Sequence, residues 1–175
     1  MVYYKKKIFL ILLLFIVISG LISLSFILYP ISVASNSSQK LSGSSFSNNP
    51  VQLETGVLNI DGQELKIEIA STDSDQYRGL SNRDSLCSGC GMLFDFSDYD
   101  KLAFVMRDMR FPLDIIFINN NKVINIAANL APEGNKPKNI YYSNGKANRV
   151  LEVNSGYCEK NGIKVGDNIS EPLIN

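Results

Sequence analysis

The chain has no histidine among its 175 residues. Ser-His and Cys-His nucleophilic catalysis are thereby excluded, and with them any metal site that needs an imidazole ligand. Acidic residues are missing from the first 50 positions, because all 17 lie beyond them. Basic residues are scattered rather than striped, so the electrostatic footprint of a nucleic-acid binder is absent. Cysteine is scarce, and a count of three leaves one thiol over from any single disulfide. No long amphipathic helical pattern and no internal repeat can be found.

What is present begins with a run of apolar residues over 8–31, opened by Lys5, Lys6 and Lys7 and interrupted only by small residues and the late Pro30. At 1.5 Å rise per residue such a helix reaches about 36 Å, enough for a hydrocarbon core of about 30 Å. No further cation follows until Lys40, so residues 1–7 are expected in the cytoplasm, 8–31 as a single-pass signal-anchor, and the remainder outside. The alternative is a cleaved signal peptide ending at Ser32-Val33-Ala34, which would release a secreted domain. The length of the apolar run favours the retained anchor. Residues 32–50 are rich in Ser and Asn and read as a flexible linker.

Residues 51–175 are the right length for one domain, and they carry 13 basic against 17 acidic groups, a net of −4. Their hydrophobic period is mostly two. Residues 56–60 and 65–69 predict a hairpin around Asp61-Gly62. Ser71-Thr72 can cap a short helix over 73–78, stopped by Gly79. Strands are expected over 91–96, 102–106, 114–118, 122–128, 149–153 and 163–169, with a long loop over 129–146 and a helical turn over 157–161 closed by Gly162. The fold class is mainly β (α+β), a small barrel-like domain with two short helices.

Arg78-Gly79-Leu80, Arg83, Leu86, Gly91-Met92-Leu93-Phe94 with Phe96, Met106, Pro112-Leu113-Asp114, Val150-Leu151-Glu152-Val153, Gly156, Gly162 and Gly166-Asp167 stand in an order that resembles domain of unknown function 192. The resemblance covers roughly residues 65–169 and implies a compact, mainly β, often exported domain without an assigned activity. Two departures stand out. The family commonly carries Phe-Trp-Met-Lys-Asn-Thr where this chain has Phe104-Val105-Met106-Arg107-Asp108-Met109, and a Met and an aromatic pair where it has Ser81-Asn82.

The chemistry-bearing residues form two groups. Arg78, Arg83, Met106, Arg107, Asp108 and Asp114, with Arg110 nearby, lie in loops between apolar strands. Arginines there could hold a carboxylate or phosphate, or simply bridge carboxylates that fix the loops. Asp114 opens an apolar strand and calls for a partner, such as an arginine. Cys87 and Cys90 form a C-x-x-C with Cys158 distant, which could be a structural disulfide, a redox pair, or three thiolates for zinc. No cofactor is otherwise expected.

The leading functional expectation is therefore a membrane-anchored extracytoplasmic binding or accessory module for a small anionic ligand or an envelope polymer, more a binder than an enzyme. A thiol-redox or metal-binding protein centred on Cys87 and Cys90 is the alternative. A structural tether for a protein partner is the third.

Overall fold

The computed structural model describes residues 52–175; the expected cytoplasmic tail, anchor and linker lie outside the described residues. Among the described residues no helix is long and apolar enough to cross a membrane.

The chain forms β1 (Glu54–Ile60), β2 (Gln63–Ala70), α1 (Asp73–Arg78), β3 (Cys90–Phe104), β4 (Leu113–Asn119), β5 (Lys122–Leu130), β6 (Tyr141–Asn154), α2 (Tyr157–Asn161) and β7 (Leu173–Ile174). The β1–β2 hairpin turns at Asp61-Gly62, both at positive φ (46° and 91°), as a tight two-residue turn demands. Thr72 caps α1 through its side chain, Asp73 and Asp75 occupy the first turn, and the helix ends at Gly79.

Seven strands share one sheet in the order β5-β4-β6-β3-β2-β1-β7. Only β2 and β3 run parallel, joined by the crossover that contains α1. The sheet is not closed into a barrel, because β5 and β7 are its open ends. The expected strand over 163–169 is instead a strap. Its residues hydrogen-bond singly to both sides of the gap: Val123 N–H to Asp167 O at 3.0 Å, Ile169 N–H to Asn121 O at 2.8 Å, and Asp61 N–H to Asn168 O at 3.2 Å. Alternating partners satisfy the backbone without building a ladder.

Two further expectations are corrected. The strands over 91–96 and 102–106 are one bent strand, β3, whose pairing with β6 shifts register between Asp95 and Asp100 and again between Lys101 and Ala103. The loop expected over 129–146 is shorter, since β5 runs to Leu130 and β6 begins at Tyr141. Bulges displace the period-two pattern there, which hides the strands from sequence reading.

Both faces of the sheet are covered. Met92, Phe94 and Phe96 of β3 point into one core with Phe104, Ile115, Phe117 and Val150, where Phe104 meets Phe94 and Phe117 edge-to-face at 5.1 and 6.0 Å. Leu93 points the other way, among Leu58, Ile67, Ile116, Leu151 and Ile169. The interior strand β4 is consequently apolar on both sides over 113–118, apart from Asp114. The first core is capped by Leu80, Leu86, Met106 and Met109, which anchor the loops that carry most of the candidate site.

Candidate functional site

Alternation in the loop after β3 decides which side chains reach solvent. Met106 and Met109 turn inward and are buried, so Arg107 and Asp108 between them face outward. Met106 is therefore a core residue whose part in the site is made by its backbone: its carbonyl accepts from Glu133 N–H at 3.0 Å. The outward pair joins Tyr77, Arg78, Ser81, Asn82 and Asn135 in an open cleft of about 610 Å³.

Three loops are stitched together around this cleft. Asn82 N–H donates to Asp108 O at 2.8 Å, Ser81 Oγ donates to Arg107 O at 2.9 Å, and Asp108 N–H donates to Gly134 O at 3.3 Å. Asn82 and Asp108 both adopt left-handed backbone, at φ 63° and 54°. Asn and Asp tolerate that region better than other side-chain-bearing residues, which accounts for their presence at both crossings.

The arginines of the cleft are held by their neighbours. Arg107 stacks on Tyr77 with its guanidinium carbon 4.2 Å from the ring centroid, donates to Tyr77 O at 3.0 Å, and lies 3.6 Å from Asp108. Arg78 donates to Asp75 at 2.8 Å and keeps about half of its side chain in solvent. Arg110 pairs with Asp84 at the surface.

Arg83 and Asp114 stand elsewhere. Arg83 grips Glu68 bidentately, with both contacts at 2.7 Å, and this hydrogen-bonding raises its pKa above the ordinary value. Asp114 has no arginine partner, contrary to expectation. Its buried carboxylate accepts from Asn129 N–H at 2.8 Å, Gly156 N–H at 3.2 Å and Cys158 N–H at 3.0 Å. Gly156, at the amino end of α2, offers no side chain to cap the helix, and Asp114 supplies the acceptor from β4.

Cys87 and Cys90 are bonded to each other, with Cα atoms 5.3 Å apart, and Cys158 is a buried free thiol. The disulfide removes two of the three thiolates that a zinc site would have drawn on, and no cluster of three metal-ligating side chains occurs among the described residues. Burial, reinforced by the nearby Asp114, pushes the Cys158 thiol up to about 12. It is therefore a poor nucleophile.

Sequence reading missed Glu152. It lies in the middle of β6 within Val150-Leu151-Glu152-Val153, fully buried, and neither carboxylate oxygen has a hydrogen-bond partner. Burial pushes its pKa up to about 8, against the pull of Arg83. A charged residue within the short apolar run Val150-Leu151-Glu152-Val153 was the available signal. Tyr77, Asn82 and Asn135 were missed as well, because only folding brings their loops to the same cleft.

A bent, open, seven-stranded sheet with two short helices and a loop-built polar cleft defines a mainly β domain. Residues 56–171 match the family model DUF192, described as an uncharacterized ACR, and the chain belongs to that family. Two solved structures are similar. A protein of Sinorhizobium meliloti 1021, described provisionally as a transcription regulator, aligns with TM-score 0.66 and 26% identity over 71% of this chain and 98% of its own. A protein of unknown function from Novosphingobium aromaticivorans DSM 12444 aligns with TM-score 0.64 and 33% identity, over 70% of this chain and 90% of its own. No curated protein matches the chain.

Proposed function

We propose that residues 52–175 form a membrane-tethered extracytoplasmic binding module, and that its ligand is a small anion or an anionic segment of an envelope polymer, held in the cleft between Arg78 and Arg107. The observation that carries this reading is the convergence of three loops, pinned to one another through their backbones, on two arginines, two asparagines and an aromatic ring. Such a site is organised before the ligand arrives, so little ordering entropy is lost on binding. A carboxylate or phosphate would compete with Asp75 for Arg78, whose guanidinium is the more exposed of the two. Tyr77 is 57% exposed and offers a surface on which a sugar ring can stack beside the charge.

The test is titration of the purified chain with inorganic phosphate, galacturonate and oligogalacturonate by calorimetry. Saturable binding that weakens at least about tenfold in Arg78→Ala and Arg107→Ala supports the cleft, by the roughly 1.5–3 kcal/mol of a charged hydrogen bond. Equal affinity in wild type and both variants removes it.

A further inference from the structure

The Cys87–Cys90 disulfide lies outside the cleft, and its surroundings are not those of an inert staple. It closes a tight turn in which Cys90 N–H donates to Cys87 O at 3.1 Å and Gly89 adopts φ 74°. Asn154 Nδ2 reaches across from β6 and donates to the carbonyls of Leu86 and Cys87 at 3.1 and 3.0 Å, fixing the turn against the sheet. The two sulfur-bearing residues differ in access: Cys87 is exposed, whereas Cys90 is half-buried against the core.

Glu152 lies close by on the same face. It is directly opposite Met92 in the β3–β6 ladder, and Cys90 is two residues before Met92. Cys90 and Glu152 are thus diagonal cross-strand neighbours, roughly 7–8 Å apart at Cα and closer at their side chains. The Glu152 carboxyl is fully buried without a hydrogen-bond partner, an unfavourable arrangement that a Val or Leu would avoid. On the other flank of β3, Lys66 pairs with Cys90 in register. An open cleft of about 480 Å³ lies alongside, lined by Thr55, Val57, Lys66, Glu68, Cys90 and Gly91 among others.

We propose that Cys87–Cys90 is a thiol–disulfide exchange centre acting on a dithiol substrate, with Cys87 the attacked sulfur, Cys90 the leaving sulfur and Glu152 the acid that protonates it. A substrate thiol gives its proton to water, and its thiolate attacks Cys87 Sγ. The Cys87–Cys90 bond breaks, and its electron pair passes to Cys90 Sγ, which takes the Glu152 proton. The second substrate thiol likewise gives its proton to water, and its thiolate attacks the substrate sulfur of the mixed disulfide and expels Cys87 as a thiolate, which takes a proton from water. Glu152 recovers a proton from water. The substrate is oxidised to a disulfide, the protein is reduced to a dithiol, and two electrons and two protons have moved. An acid titrating close to a thiol suits this transfer, and the Lys66 charge favours the transient thiolate.

The test uses the full chain with Cys158→Ser, purified without reductant and exposed to reduced glutathione or dithiothreitol, then acid-quenched, alkylated and weighed. In a parallel incubation with oxidised glutathione, whose disulfide supplies the oxidant and releases one reduced glutathione, Cys90→Ser is expected to hold glutathione on Cys87, and Cys87→Ser to leave Cys90 unmodified. Glu152→Gln is expected to slow reduction of the disulfide at least about tenfold at pH 7 and to abolish the inflection in the rate's pH profile. The groups facing Glu152 that bear on this profile are Arg83 with Glu68, and the disulfide; β4 presents only Ile115. Glutathione captured equally by both cysteines overturns the proposal, and so does a Glu152→Gln rate equal to wild type. If Glu152→Gln fails to fold by circular dichroism, the capture asymmetry decides the matter alone.

Discussion

Two buried carboxyl groups show how differently one side-chain type can be used. Asp114 satisfies three backbone N–H groups and knits β4, the bulge at Asn129 and the start of α2 into one unit. Removing it orphans all three donors, so Asp114→Ala is expected to lower unfolding free energy by about 3 kcal/mol in urea titration, and Asp114→Asn by less. Glu152 satisfies nothing and is held protonated by burial. Its folded pKa of about 8 stands above the ordinary carboxyl value of 4.5. The unfolded chain therefore releases this proton at lower pH than the folded one, and the contribution of Glu152 is fully present below about 4.5. Stability should fall as pH rises from about 4.5 to about 8 and level off beyond; Glu152→Gln should flatten this slope in a series of denaturant melts.

At the scale of elements, the open end of the sheet depends on a close approach that only glycine permits. A Cβ on Gly56 would lie 2.5 Å from the Leu173 carbonyl oxygen of β7. Because that contact is with backbone, it cannot be relieved by a rotamer change. Gly56→Ala is expected to detach β7 and expose the Asn175 N–H that donates to Thr55 O at 3.1 Å. Hydrogen exchange at Asn175 should then speed up, while the β1–β2 hairpin stays protected, since its ladder runs along the opposite side of β1. The loops at the cleft follow another logic. Their apolar members, Leu80, Met106 and Met109, are core residues, and burial of each is worth roughly 1.5–3 kcal/mol. The polar residues between them are displayed as a consequence of that anchoring.

For the whole molecule, the proposed anchor can be tested apart from the domain. Full-length chain is expected to stay with membranes through alkaline carbonate extraction, and chain lacking residues 1–31 to be found in the supernatant. Release of the full chain by carbonate would remove the anchor reading and leave the cleaved, secreted form. The domain itself buries both faces of its sheet without closing it, since Cys158 of α2 with Ile163 and Ile169 of the strap over 163–169 cover one face. This leaves β5 and β7 as edges, and β7 is kept to only two residues.

Local chemistry was readable in the amino-acid sequence wherever a structure depends on neighbours in the chain. The Asp61-Gly62 turn, the Thr72 cap with its acidic first turn, and the Gly162 stop of α2 each rest on side chains within a few residues of one another. The family is legible for the same reason, in short motifs held in order over roughly residues 65–169, inside the 56–171 that match the family model. Tertiary structure decided the rest. Period two says that a strand has faces but not whether its sheet closes, and a strap that hydrogen-bonds singly to both sides of the gap looks like a strand in sequence. Arg83 and Asp114 were legible as charges needing partners, yet those partners, Glu68 and three backbone amides, come from residues 15 or more positions away. The cleft and the setting of the Cys87–Cys90 disulfide arise the same way, because burial and electrostatic partnership depend on distances in space that no local pattern encodes.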